Sequence, residues 1–184
     1  MYRAMVATAV AVGCYAGAPA PAEAGLSLGL EVGPNFVLTD NDAFSVVQNG
    51  LGDDAGIGIS ARGGYAFEAG LFTITPEAKL GFESPGGPDA FRILGGLRLG
   101  LGKGVAPVVF AHAGGTVGDL EAFTWDVGGG LDLNFIPVVH PGVFVSYNRA
   151  ESSPGVLEDL AGIDIDPPGN WEWLQIGISV TLDF

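Results

Sequence analysis

Cysteine occurs once in the 184 residues, at Cys14, and lysine and histidine occur twice each. One thiol excludes a disulfide framework and any metal site built on paired cysteines. Seven Lys and Arg against 21 Asp and Glu give a formal net charge of −14. A chain so poor in cations lacks the groups that neutralise phosphates, which excludes DNA and RNA as partners. Long apolar runs are missing too: beyond the leader described next, none approaches the ~20 residues of a membrane-spanning helix. What the chain has in quantity is glycine, 31 residues, and apolar side chains, 48% against 15% charged, a balance that excludes a disordered polymer. Its length fits one domain. The mean hydropathy of +0.39 must therefore be spread in some pattern other than runs.

Residues 1–24 read as an export signal. Arg3 supplies the positive start, Ala4 to Ala20 an apolar stretch of small residues, and Ala22-Glu23-Ala24 the A-x-A form of a cleavage site. Cleavage after Ala24 removes Cys14 and leaves residues 25–184 as the mature domain. A rival reading takes Ala11-Val12-Gly13-Cys14 as a lipoprotein box, with Ala where Leu is usual.

After Gly25 the period becomes two. Leu26, Leu28, Leu30 and Val32 alternate with Ser27, Gly29, Glu31 and Gly33, the mark of a strand with two unlike faces. The pattern returns in Ile57–Phe67, Phe72–Glu83, Phe91–Leu101, Phe123–Phe135, Pro137–Arg149 and Leu174–Phe184, with Leu94 the one apolar residue on the polar side of its strand. In Val105–Gly115 the facing stays open, because Val105 and Val109 compete with Val108 and Phe110. Pro76 and Pro107 would each cost a ladder hydrogen bond, so local bulges are expected there.

Strands of this length match the ~10-residue tilted strands that cross a bilayer better than the ~5–6 residues usual in globular sheets. Tight links near Glu68-Ala69-Gly70, Gly102-Lys103-Gly104 and Ile136-Pro137 alternate with longer ones that include 39–55 and 150–170. The fold expected is all-β: an eight-stranded antiparallel up-and-down transmembrane barrel, closed so that no strand edge meets lipid. Alternation alone also fits a soluble barrel with a solvated exterior. Residue choice decides: the polar faces carry Gly, Ser and Thr in place of Lys and Glu, which suits a crowded interior, while Leu, Ile, Val and Phe face outward. Trp125, Tyr147 and Trp171 near strand ends are expected to form an aromatic girdle.

In these features the chain resembles the small eight-stranded outer-membrane barrels of the outer membrane protein A type of Gram-negative bacteria. The resemblance rests on Thr75-Pro76-Glu77-Ala78-Lys79-Leu80-Gly81-Phe82, Gly95-Gly96-Leu97-Arg98-Leu99-Gly100 and the terminal Ser179-Val180-Thr181-Leu182-Asp183-Phe184. It covers nearly the whole mature chain and leaves out the family's peptidoglycan-binding domain. It implies an outer-membrane location, with Val180, Leu182 and Phe184 as the insertion signal read by the barrel-assembly machinery.

An eight-stranded lumen is only wide enough to be filled by side chains. Glu31, Arg62, Glu77, Lys79, Arg98 and Asp132 fall at middle depth on the polar faces, three acids and three bases that are expected to pair as a structural plug. A gated, very narrow ion path is what the resemblance adds to that reading. The acids Asp40, Asp42, Asp53, Asp54, Asp89, Asp119, Glu121, Glu151, Glu158, Asp159, Asp164 and Asp166 fall in the outer loops, which hold no Lys or Arg. Such a crown repels itself and stays solvated, bridged to lipopolysaccharide phosphates by divalent ions. No complete calcium loop is present, so no metal and no cofactor is expected. Within the loops, 41–50 and 154–161 are expected to form short helices. Loops 39–55 and 150–170 are the candidate contacts for an external ligand or surface, and a monomer is expected. The alternative function is a lipid-modifying enzyme at the membrane rim, of the lipid A acylase or deacylase type. It would need His112 or His140 near a serine, yet neither lies in a His-x-Ser motif and Ser146 has no nucleophile elbow.

Overall fold

The computed structural model describes residues 24–38, 55–84, 89–118, 122–151 and 170–184. They form eight strands: β1 (Ala24–Val37), β2 (Ala55–Ala69), β3 (Phe72–Ser84), β4 (Ala90–Leu101), β5 (Val105–Gly118), β6 (Ala122–Leu133), β7 (Val139–Glu151) and β8 (Trp171–Asp183). Each pairs antiparallel with its sequence neighbour, and β8 closes on β1. The expected leader, the loop helices at 41–50 and 154–161, and most of the acidic crown lie outside the described residues. Ala24, placed by the cleavage reading at the end of the leader, is the first residue of β1 and pairs with Phe67.

The register fixes the barrel's geometry. Following paired residues once around, from Ser27 through Gly64, Glu77, Gly96, His112, Asp126, Asn148 and Trp173, returns to β1 at Val37, ten residues from the start. Eight strands with that stagger lean at roughly 35–45° to the barrel axis. The lean explains why strands of 12 to 15 residues are needed.

The prolines do not make the expected bulges. Register continues unchanged past Pro76 and Pro107, and the missing donor is met by local loss of pairing. Pro76 lies where the β2–β3 ladder skips two pairs, and Pro34 sits in a similar gap between β1 and β8. Pro107 and Pro141 fall just past the last pairs of β4–β5 and β6–β7. Each proline thus occupies a position where one neighbouring strand asks for no N–H.

Short turns join β2 to β3, β4 to β5 and β6 to β7, with Gly70 at φ 69° and Gly102 at φ 101° supplying the left-handed backbone that tight reversals require. Val138, in the β6–β7 turn, holds φ 72° without that freedom.

Side-chain facing follows period two throughout. Leu30, Ile59, Ile93, Leu97, Val109 and Ile178 lie on the outer wall with more than half their surface exposed, whereas buried positions are mostly polar. The open question in β5 is resolved by packing: Ala106, Val108, Phe110 and His112 point inward, and Val105 and Val109 outward. Phe110 faces inward because Gly128, its partner on β6, leaves the room that its ring fills. Leu94 does point inward among polar neighbours and is 2% exposed.

Candidate functional site

The lumen gathers five acids, Glu31, Glu77, Glu83, Asp126 and Asp132, and four cations, Arg62, Lys79, Arg92 and Arg98, all buried. Burial of an unpaired charge is costly, so their arrangement is the first question to ask of the interior. In the middle of the lumen Arg62 reaches Glu31 at 3.2 Å and Glu77 at 3.0 Å, and donates to the Thr181 hydroxyl. Lys79 approaches Glu31 at 2.8 Å and Asp126 at 3.4 Å, and Ser60 donates to Glu31 at 3.2 Å. His112 bridges two strands: Nδ1 lies 2.6 Å from Asp126 Oδ1 and Nε2 lies 2.9 Å from Glu77 Oε1. Both ring nitrogens meet carboxylate oxygens, so a ring with a proton on each nitrogen donates to both. In that form it also balances the fifth acid against the four cations.

Toward the loop side a second layer closes the lumen. Arg92 donates to Asn148 at 2.8 Å, approaches Glu83 and Asp126 at 3.4 Å, and sits 5.1 Å from the centre of the Trp173 ring. Asn35 donates to Glu83 at 2.7 Å. Trp173 packs on Ala90 and Ala150, with Ala122 and Trp171 against the same cluster.

Toward the turn side stands a separate pair, Arg98 with both oxygens of Asp132, at 2.7 and 2.9 Å. The Phe110 ring lies between this pair and the central cluster, 5.7 Å from the Arg98 guanidinium and 5.6 Å from Lys79 Nζ. Below Arg98 a cavity of ≈ 560 Å³ opens on the turn side, with Thr73, Asp132, His140, Thr181 and Asp183 on its walls.

Glycine makes this interior possible. Bulky lumen side chains lie over glycines on the paired strand: Arg62 over Gly29, Glu77 over Gly64, His112 over Gly96, Phe144 over Gly177 and Asp132 over Gly142. A Cβ at Gly29 would stand 2.6 Å from the Arg62 guanidinium. The abundance of glycine on the polar faces is thus the volume given to ionic groups.

The structure brings Glu31, Arg62, Glu77 and Lys79 of the expected set into one cluster, with Arg98 and Asp132 apart as their own pair. Missing from that set were Glu83, Arg92, His112 and Asp126. The parity of Glu83, Arg92 and Asp126 was visible in the sequence, whereas His112 belongs to β5, whose facing stayed open, and the depth of all four depends on the ten-residue stagger. Trp125 and Tyr147 lie on the outer wall with ring centres 5.5 Å apart. Trp171 does not join them. It shares the parity of Gln175 and packs at the loop-side mouth against the Trp173 cluster, since strand position alone placed it near an end but not on a face. Val180 and Phe184 are outward and exposed, with Leu182 half-buried between them. His140 lies at the turn-side mouth, 3.4 Å from Asp183, and Ser146 is enclosed beside Asn148.

An eight-stranded antiparallel barrel with an apolar wall and an ionic lumen has the architecture of a transmembrane β-barrel. No protein-family model matches the chain, and no curated protein matches it in sequence. Among solved structures the chain is similar to the crystal structure of Neisserial surface protein A (NspA), with a TM-score of 0.50 and 12% identity over 88% of this chain and 99% of that one. It is also similar to a de novo designed transmembrane β-barrel, with a TM-score of 0.42 and 15% identity over 90% of this chain and 100% of the other.

Proposed function

We propose that the protein is an outer-membrane barrel of a Gram-negative bacterium, exported through a cleaved leader at 1–24. In this reading it serves as a closed scaffold that offers loops 39–55 and 150–170 to an external ligand or surface. The observation that carries the reading is the segregation of charge. Among the described residues the outward-facing strand positions hold only Arg149, Glu151 and Glu172 as charged side chains, all at the loop-side rim, while nine others are enclosed and Glu68, Asp89, Lys103 and Asp183 stand at strand ends or in a turn. A charge on a lipid-facing wall costs about 2–4 kcal/mol at the bilayer midplane, a penalty that does not exist for a barrel in water. Outer-membrane lipid and lipopolysaccharide then surround a monomer, and Val180, Leu182 and Phe184 form the signal for the assembly machinery. The enclosure of His112 and Ser146 supports a non-catalytic role over a rim enzyme acting on lipid.

Gel migration with and without boiling tests the reading, because a closed barrel extracted in detergent runs differently before and after heating. Recovery of the mature chain from the periplasm without detergent, with unchanged migration, would overturn it. Loop shortening at 39–55 or 150–170 tests the surface role through loss of attachment.

A second reading, a very narrow gated ion path, is favoured by the turn-side cavity, which carries solvent up to the Arg98–Asp132 pair. Planar-bilayer recording of the native chain and of Arg98→Ala separates the two. Discrete conductance, or its gain in the variant, favours the path, and silence in both favours the closed scaffold.

A further inference from the structure

Six of the lumen's ionic groups close on themselves. From Glu31 on β1 the contacts run to Lys79 on β3 at 2.8 Å and on to Asp126 on β6 at 3.4 Å. His112 on β5 follows at 2.6 Å, then Glu77 on β3 at 2.9 Å. Arg62 on β2 stands 3.0 Å from Glu77 and 3.2 Å from Glu31, which completes the circuit. Acid and base alternate at every step, and no side chain of the six is more than 1% exposed. Around this ring, Ser60 donates to Glu31 and Thr181 accepts from Arg62. From β4, Arg92 touches Asp126 at 3.4 Å and Arg98 is turned to Asp132.

One member of the ring carries a charge that changes near neutral pH. Arginine and lysine ordinarily keep their protons there and carboxylates ordinarily lack them, whereas an imidazole titrates at about pH 6.5. With a proton on each nitrogen, His112 donates to both Asp126 and Glu77, and three acids face three cations. With one proton, a nitrogen lone pair faces a carboxylate oxygen at 2.6 or 2.9 Å, and three acids face two cations. Neither Arg92 nor Arg98 forms an ion pair with Glu77, so β4 does not replace the lost charge there. An enclosed carboxylate deprived of a partner is costly. Solvent comes up to this layer from the turn side, where Arg62 and Arg98 line the cavity. On the loop side Arg92 and Trp173, 1% and 2% exposed, cover it.

We propose that this ring is a proton-operated latch. A proton on each nitrogen of His112 closes it and ties β3, β5 and β6 together across the lumen. Release of one of them to water from the turn-side cavity opens the ring on one side of the imidazole and loosens the middle of the barrel. The latch rests on the closed-barrel reading above and not on the ion path.

Nitrogen NMR of the untagged, detergent-solubilised chain carrying His140→Gln tests it, because His112 is then the only histidine. At about pH 6 both ring nitrogens are expected to bear protons that exchange slowly with water, and one is lost as the pH is raised. Over the same range the folding equilibrium constant in urea should fall, by up to about tenfold per pH unit, the limit for release of one proton. Adding His112→Gln, which does not titrate, should remove that fall. A ring holding a single proton at about pH 6 in a heat-modifiable barrel overturns the latch. So does a pH dependence of folding that the His112→Gln barrel shares. Where the glutamine variant does not fold, the spectrum and the unfolding of the His140→Gln chain decide, and a ring that titrates with no change in the folding equilibrium overturns the latch. Absence of the heat-modifiable band from the native chain overturns the closed-barrel reading and the latch with it.

Discussion

His112 and Asp126 stand directly opposite each other on β5 and β6, and their side chains meet at 2.6 Å in the middle of the lumen. Because Glu77 occupies the other ring nitrogen, this histidine joins three strands of the barrel wall. His112→Ala leaves two buried carboxylates short of a cation and should cost about 3–5 kcal/mol, the loss typical of one broken buried pair. His112→Gln, which keeps a donor for one carboxylate, should recover part of it. Urea unfolding in lipid vesicles, followed by tryptophan fluorescence, measures both variants. A loss below about 1 kcal/mol for the alanine variant would show the cluster to be balanced without the ring.

Glycine position should matter more than glycine number. A Cβ at Gly29 meets the Arg62 side chain, whereas at Gly95, on the outer wall, nothing lies within 4 Å. Gly29→Ala must push the Arg62 guanidinium off Glu31 and should destabilise by about 1–3 kcal/mol, as overpacking does. Gly95→Ala should be neutral or gain up to about 1 kcal/mol through a stiffer unfolded chain. The same unfolding assay distinguishes them, and equal effects would contradict the role of glycine as space for the ionic groups.

These two sites mark how far the sequence could be read. Alternation identified the strands, their faces and the barrel, down to Leu94 as an inward apolar residue, because a one-residue change flips a side chain across the sheet. Parity could not choose a face for β5, where apolar residues occur on both sides and the space over Gly128 decides. Depth was also hidden. His112, Arg92 and Asp126 come together through pairing that climbs ten residues around the barrel, which no single strand records. Trp171 shows the same limit, since nearness to a strand end suggested the girdle while its parity sends it to the mouth of the lumen.

The β6–β7 turn contains a removable strain. Val138 is β-branched and holds φ 72°, a conformation in which its side chain crowds the backbone, while its carbonyl accepts from Asp183 at 3.1 Å. Val138→Gly keeps the carbonyl and relieves the backbone, and Val138→Asn does so in part. A gain of about 1 kcal/mol is expected for glycine, the lower end of the cost of such a residue. Unfolding midpoints ordered Gly above Asn above Val would agree, and a loss in both variants would mean that outward burial of the valine outweighs its strain.

The facing of the tryptophans can be read directly with lipids brominated along their acyl chains. Trp125 lies on the outer wall beside Tyr147, whereas Trp173 is 2% exposed and covered by Arg92. Heavy-atom quenching needs near contact, so a barrel retaining only Trp125, with Trp171→Phe and Trp173→Phe, should lose much of its fluorescence in brominated bilayers. A barrel retaining only Trp173 should lose little, because the wall stands between its ring and the acyl chains. Trp171 alone should resemble Trp173, since both indoles share the inward face of β8. Strong quenching of Trp173 with none at Trp125 would turn the wall inside out, and the enclosed ionic groups would then have to face lipid at a cost of several kcal/mol each.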